Sequence, residues 1–146
     1  MYLVKKITIN EYIECYEIDL KTIKLWNLKQ WEMELKKKYV YGFACFRDYE
    51  IVGVCLFQKI FCNAELTYLS IHPKYKRRGL GKKLLKEILK QCKILSIEKI
   101  LLEVSENNLA AINFYHSFGF KTIGIRKSYY KDGSNALLQE KKLLKK

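Results

Sequence analysis

LSIHPKYKRRGLGKKLLKEILKQC, residues 69–92, joins an apolar run to a long amphipathic run through a cationic loop that holds two glycines. Pro73, the only proline, ends the first run because it lacks the N–H that a sheet ladder needs. From Leu80 onward, Leu84, Leu85, Ile88, Leu89, Cys92 and Leu95 recur at three- and four-residue spacing. Lys82, Lys83, Lys86, Glu87, Lys90 and Lys93 fall on the other side, so the spacing predicts a helix packed on a sheet. A strand that passes through Gly79-Leu80-Gly81 straight into a helix leaves backbone N–H groups converging on one spot, where the helix dipole adds positive potential. Such a spot attracts phosphate, and Lys76, Arg77 and Arg78 add charge to it. A side chain at either glycine would hold a phosphate away from the backbone. Two known phosphate loops are excluded. A Walker A loop needs glycine at Lys76 and Ser or Thr at Lys83, and the dinucleotide fingerprint lacks its third glycine at Leu84. Taken alone, the loop also fits an ordinary strand-to-helix turn with solubilising cations.

Outward from that stretch the pattern alternates. Tyr2–Ile9 has strand character, Asn10 is a candidate N-cap for a short helix to Leu20, and Lys29–Lys38 predicts a second helix. Tyr41–Arg47 and Glu50–Ile60 flank a turn at Asp48 and Tyr49 and read as a hairpin, and Ala64–Ile71 is a third strand. Beyond the long helix, Lys99–Ser105 predicts a buried strand. Asn107 or Asn108 can cap the helix LAAINFYHSF, and Gly119 sits where a helix C-terminal glycine belongs. FKTIGIRKSYY and NALLQEKKL supply two last strands around Asp132 and Gly133. The expected order is β-α-α-β-β-β-α-β-α-β-β, an α/β fold whose mixed sheet carries helices on its faces.

The 146 residues, 49% of them hydrophobic, suit one domain spanning residues 1–146. Lysine and arginine number 28 against 15 acidic residues, a formal charge of +13 that favours phosphate-bearing partners. Scattered lysine serves solvation equally well. Five cysteines without a C-x-x-C pair read as reduced, buried small hydrophobes of a cytoplasmic protein, with no metal site expected. No apolar stretch approaches the roughly 20 residues that span a bilayer, so no membrane partner is expected.

Lys76-Arg77-Arg78-Gly79-Leu80-Gly81 resembles the Gln/Arg-x-x-Gly-x-Gly/Ala motif of the GNAT family of N-acetyltransferases, with lysine in the first place. A second signature, Asn-x-x-Ala-x-x-Phe/Leu-Tyr-x-x-x-Gly-Phe, is matched by Asn108, Ala111, Phe114, Tyr115, Gly119 and Phe120. The resemblance covers most of the chain. It implies a GNAT-like fold with a mostly antiparallel sheet, and acetyl-coenzyme A as cosubstrate. It places Arg77, Arg78, Gly79, Leu80, Gly81 and Lys82 at the pyrophosphate, Asn108 at the pantetheine arm, and the backbone of Leu69, Ser70 and Ile71 against the pantetheine amides. Within the family the chain looks most like the bacterial ribosomal-protein-alanine N-acetyltransferases, through LWNLKQWEMEL, AELTYLSIHP, LLEVSENNLAAINFY and GIRKSYYKDGSNALL. That group usually carries Asp-Ala where this chain has Asn135-Ala136.

The implied chemistry is attack of an amine on a thioester. A peptide α-amine, with an ordinary pKa of roughly 7.7–8.0, must lose a proton to become nucleophilic. Glu103 matches the general base of the group and Tyr115 the donor to the departing thiolate. A solvent-facing strand glutamate and an aromatic filling the helix-to-sheet interface are the plain alternatives. Trp26, Tyr129 and Tyr130 match regions that border the peptide site, and core packing suits Trp26 equally. Cys92 lies on an apolar helix stripe, so no acetyl-cysteine intermediate is expected. The resemblance implies that the acceptor is a protein N-terminus, that of a ribosomal protein. The alternatives are an acetyltransferase for a small-molecule amine and a non-enzymatic basic RNA-binding module. No helix-turn-helix, zinc-finger or RNP signature supports the last, so no specific nucleic-acid binding is expected. The sequence is silent on oligomeric state.

Overall fold

Residues 52–57 are buried on both faces of the sheet, which is why this part of Glu50–Ile60 reads as a continuous apolar run rather than an alternating one. In the computed structural model, which describes residues 1–143, that run is β3, an interior strand next to the middle of a seven-stranded sheet. The strands are β1 (Tyr2–Ile7), β2 (Val40–Arg47), β3 (Glu50–Ile60), β4 (Asn63–Ile71), β5 (Lys99–Ser105), β6 (Lys121–Arg126) and β7 (Ala136–Lys142). Their order across the sheet is β1-β2-β3-β4-β5-β7-β6, and every pairing is antiparallel except β4 with β5. The helices are α1 (Tyr12–Leu20), α2 (Leu28–Lys36), α3 (Leu80–Ile94) and α4 (Leu109–Ser117). The element order is the one the sequence predicts.

The two faces carry separate cores. On one, Leu84, Leu85, Ile88 and Cys92 of α3 pack with Cys55, Phe57 and Leu66. On the other, Cys15 and Ile18 of α1 and Trp31 of α2 pack with Val54, Leu56 and Tyr68. β4 serves both because its register slips once: Leu66 pairs with Phe57 and Tyr68 with Leu56, leaving Thr67 as the extra residue of a β-bulge. Before the bulge Ala64 and Leu66 face α3. After it Leu69 and Ile71 do, and Tyr68 turns to the α1 and α2 side.

Three boundaries differ from expectation. β1 ends at Ile7, because Thr8 and Glu11 form a capping box. The Thr8 hydroxyl accepts from Asn10 N at 3.2 Å and Glu11 Oε1 from Thr8 N at 2.7 Å, so Thr8 rather than Asn10 starts the helical segment, with a short 3-10 turn before α1. α2 starts at Leu28 because Asn27 and Gln30 form a second such box, at 2.8 and 2.9 Å. β6 stops at Arg126 instead of running to Tyr130, since Ser128 turns to φ 52° and hands its N–H to Asn135 Oδ1 at 2.8 Å.

Candidate functional site

β4 and β5 pair only through Asn63–Lys99, Ala64–Ile100 and Glu65–Leu101. Beyond that point they separate, while β5 stays paired with β7 along its whole length and β4 stays paired with β3. The edge of β4 that faced β5 therefore carries backbone groups with no strand beside them, next to the bulge at Thr67. The opening runs into a cleft of ≈ 780 Å³. Its floor is Leu69, Ser70 and Ile71, one end is the loop before α3, and Phe114 and Tyr115 of α4 form a wall.

The loop end is built for an anion. Gly79 is the N-cap of α3 and offers no side chain to the first turn. The first hydrogen bond of the helix runs from Lys83 N to Gly79 O at 3.1 Å, so the N–H groups of Leu80, Gly81 and Lys82 have no intrahelical partner. Arg77 at φ 64° and Gly79 at φ 74° bend the chain so that these groups open toward the cleft, and Lys76 and Arg77 line it. Gly79 meets the positive φ without strain, which a Cβ would introduce. A Cβ on Gly81 would instead meet the Phe114 ring at 3.5 Å, an ordinary contact, so that glycine is not demanded by packing. The unpartnered amides, the cations and the elongated cleft fit a pyrophosphate with a pantetheine-like arm.

Of the residues expected at the site, Leu69, Ser70, Ile71, Arg77, Gly79, Leu80, Gly81, Lys82 and Tyr115 line this cleft. Arg78 does not: its guanidinium donates to Tyr2 Oη at 2.7 Å and lies 5.2 Å from the centre of the Tyr75 ring, tying the loop to β1. Asn108 caps α4, its Oδ1 accepting from Ala111 N at 3.1 Å. Trp26 stacks on Tyr68 with ring centres 6.1 Å apart and packs edge-on against Trp31 at 4.9 Å.

Tyr115 is buried against Phe114 and Phe120, and burial, with a smaller effect of Cys55, pushes its hydroxyl well above the ordinary tyrosine range. The hydroxyl therefore stays protonated near neutral pH. Glu103 projects from β5, opposite Leu138, with Arg126 Nε 3.2 Å from Oε2. The pair is not aligned as a hydrogen bond, so this buried oxygen has no hydrogen-bond partner. Burial, with a smaller effect of the Glu103 charge, pushes the Tyr130 hydroxyl up; Arg126, paired with Glu103, lies 5.5 Å from the centre of the Tyr129 ring, and Tyr129 stands edge-on to Tyr130 at 5.1 Å. The expected residues thus fall into one group lining the cleft and one around Glu103 at the β5–β7 end, with Arg78, Asn108 and Trp26 in neither.

Sequence reasoning missed the wall from the end of α1, where Lys21, Thr22 and Ile23 reach the cleft. It also missed Asp19, which is wholly buried. A charged residue on the apolar side of a short helix was the available signal. Burial raises the Cys92 thiol to about 12, so it is not a nucleophile at neutral pH. Among the described residues no group of three or more His, Cys, Asp or Glu is placed to hold a metal ion, and no helix is long and apolar enough to cross a membrane.

Comparison with known proteins agrees with this geometry. The [ribosomal protein bS18]-alanine N-acetyltransferase of Escherichia coli K12 is 29% identical over 105 residues, 72% of this chain and 70% of that one. The crystal structure of the ribosomal-protein-S18-alanine N-acetyltransferase from Escherichia coli superposes with a TM-score of 0.93 at 23% identity, covering 100% of this chain and 96% of that one. An N-acetyltransferase from Thermoplasma acidophilum in complex with coenzyme A superposes with a TM-score of 0.72 at 21% identity, over 97% and 99% of the two chains. At these identities the two structures speak for the fold. The profile of the acetyltransferase (GNAT) family matches residues 6–120, and the chain belongs to that family.

Proposed function

We propose that this enzyme transfers the acetyl group of acetyl-coenzyme A to the N-terminal α-amine of a protein, by direct attack within a ternary complex, and that the acceptor is a ribosomal protein. The observation that carries the reading is the continuity of the cleft. An anion-binding helix terminus leads along the unpaired edge of β4 to a buried tyrosine hydroxyl, the layout an acyl-coenzyme A thioester needs. The amides of Leu80, Gly81 and Lys82 hold the pyrophosphate, with Arg77 and Lys82 adding charge. The freed backbone of Leu69–Ile71 pairs with the pantetheine amides as a strand would.

Glu103 accepts the proton that the α-ammonium must lose, with Arg126 beside it balancing the carboxylate charge. The amine lone pair then forms the C–N bond, the tetrahedral intermediate collapses with cleavage of the C–S bond, Tyr115 protonates the departing thiolate, and the second proton that the nitrogen sheds in becoming an amide restores the tyrosine hydroxyl. Cys92 takes no part. The acceptor's nature rests on the relatives named for alanine acetylation of bS18 and on the aromatic pair Tyr129 and Tyr130 beside Glu103. Folding and reaction in the cytoplasm go with this reading. A panel of N-terminal peptides of the organism's ribosomal proteins, incubated with acetyl-coenzyme A, tests it: α-acetylation of an alanine-initiated peptide is expected. An unmodified panel, with a polyamine or other small amine acetylated instead, would overturn it.

A further inference from the structure

Asp19 is wholly buried and holds four donors. Its Oδ2 accepts from Leu25 N at 2.9 Å, Trp26 N at 3.0 Å and Trp31 Nε1 at 3.0 Å, and its Oδ1 accepts from Tyr68 Oη at 2.9 Å. Three of these donors are N–H groups, which can only donate, and the fourth is the Tyr68 hydroxyl, so the carboxylate accepts at every contact and the direction of what is attached to it follows. Tyr68 must donate to Asp19, hence its oxygen receives the Ser70 hydroxyl, at 2.9 Å. The Ser70 proton is thereby engaged inside the protein. Thr22 is in the same condition: its hydroxyl donates to Ile18 O at 2.9 Å, while its Oγ1 lies 3.4 Å from Tyr68 Oη. Both residues line the cleft, Ser70 from β4 and Thr22 from the end of α1. The bulge at Thr67 is what turns Tyr68 and Ser70 toward α1 in the first place.

We infer that Ser70 and Thr22 form an acceptor-only pair of oxygens that reads an N–H donor in the cleft, and that this donor is the amine about to be acetylated. The assignment rests on the acetyl-transfer reading above and adds the side-chain contacts that recognise the nucleophile. Ser70 then has two separate uses, its backbone edge toward the thioester arm and its side chain toward the amine. Asp19 is a positioning residue that acts through Tyr68, and it also fixes the turn between α1 and α2 by holding the N–H groups of Leu25 and Trp26.

The polarity gives a test that a purely structural role would not pass. In Asp19→Asn the side-chain carbonyl must take the Oδ2 place, where three N–H groups converge, so the new NH₂ faces Tyr68. Tyr68 then donates to Ser70, and the Ser70 hydroxyl turns its proton into the cleft, a donor facing a donor. The probe is an alanine-initiated tetrapeptide whose α-nitrogen, still bearing one N–H, is joined through an acetyl bridge to the sulfur of coenzyme A. Calorimetry reads the ratio of its affinity to that of free coenzyme A in each protein, so changes in the cofactor half cancel. Wild type is expected to favour the conjugate. Ser70→Ala should cut that ratio by about tenfold, the worth of one buried hydrogen bond of roughly 1.4 kcal/mol. Asp19→Asn, with its melting temperature measured in parallel, should cut it at least as far. If Ser70→Ala keeps the wild-type ratio the inference is wrong, and if only Asp19→Asn keeps it the fixed polarity is wrong. If wild type itself binds the conjugate no better than coenzyme A, the peptide-acceptor reading fails and takes this assignment with it.

Discussion

Asn135 grips Glu106 at two points: its backbone N–H donates to Oε2 at 2.8 Å and its side-chain amide to Oε1 at 3.3 Å. The same side chain accepts from Ser128 N at 2.8 Å. Donating to a carboxylate and accepting from an amide at once is what an asparagine can do and an aspartate cannot. The departure from the Asp-Ala of the related enzymes is therefore matched by this chain's own neighbour, Glu106. Asn135→Asp would set two carboxylates about 3.3 Å apart and is expected to cost about 1–2 kcal/mol at neutral pH. The repulsion raises the folded-state pKa of the pair, so the loss should be small below about pH 4 and grow as pH rises through the carboxylate range. Urea unfolding of both proteins at pH 4 and pH 7 checks this.

Replacing the loop glycines should separate fold from binding. Gly79→Ala forces a Cβ at φ 74° into otherwise open space and is expected to cost about 1–2 kcal/mol of backbone strain. Gly81→Val keeps an allowed backbone and meets Phe114 at contact distance, so the protein should melt near the wild-type temperature while its side chain blocks the anion cradle. Coenzyme A titrated at about 100 times its dissociation constant should stabilise wild type by roughly 2.7 kcal/mol and leave Gly81→Val unshifted. A normal shift in that variant would remove the cradle from the mechanism.

Glu103→Gln and Tyr115→Phe should fail in different ways. Losing the base is expected to lower turnover by about 10²–10⁴, with recovery as pH rises and the amine sheds its own proton. Tyr115→Phe keeps the packing on Phe114 and Phe120 and loses only the hydroxyl, so turnover should fall without alkaline recovery. Rate profiles from about pH 6 to 10, with chemistry rate-limiting, tell the two apart.

The buried thiols predict an alkaline limit to stability. Burial raises Cys15 and Cys92 to about 12 in the folded protein, above the value of 9.0 for a free thiol. For a group raised by folding, the contribution is complete below the unfolded pKa and is lost as pH climbs toward the folded one. Stability should thus hold to about pH 9 and then fall, with each thiol contributing on the order of 1.4 kcal/mol per pH unit. Denaturation midpoints at pH 8 and pH 10.5 measure it. Cys92→Ala should retain most activity, and intact mass after incubation with acetyl-coenzyme A should show no acetyl group on a cysteine.

What could be read from residues alone followed from how local each signal is. Helix periodicity at Leu80–Ile94 is written within a few residues and is found, and β5 stands where the apolar run Lys99–Ser105 predicts a strand, though it is buried only at alternate positions. The parting of β4 from β5 is a relation between strands about 35 residues apart, set by where pairing stops, and no short motif encodes it. The Asp19 network joins α1, α2 and β4, so a buried aspartate shows in the sequence only as an odd residue on an apolar face. Arg78 shows the converse. A cation in a phosphate loop invited one reading, and the nearby rings of Tyr2 and Tyr75 gave it another contact.

Thr67 carries no chemistry, yet because it bulges out of the ladder instead of taking a regular place in it, Tyr68 and Ser70 stay on the α1 side and Leu69 and Ile71 on the α3 side. Exchanging it for another residue leaves the count of β4 unchanged, and a wide range of side chains should be accepted at that half-exposed place. Deleting it would take out only the extra residue: Leu66 and Tyr68 already pair with the consecutive Phe57 and Leu56, so β4 would continue in register with Tyr68 and Ser70 still toward α1. In a library that samples both substitutions and single-residue deletions, position 67 should be among the most permissive places of β4 to either, whereas loss of Leu69, which holds a regular pair with Cys55, should not be tolerated.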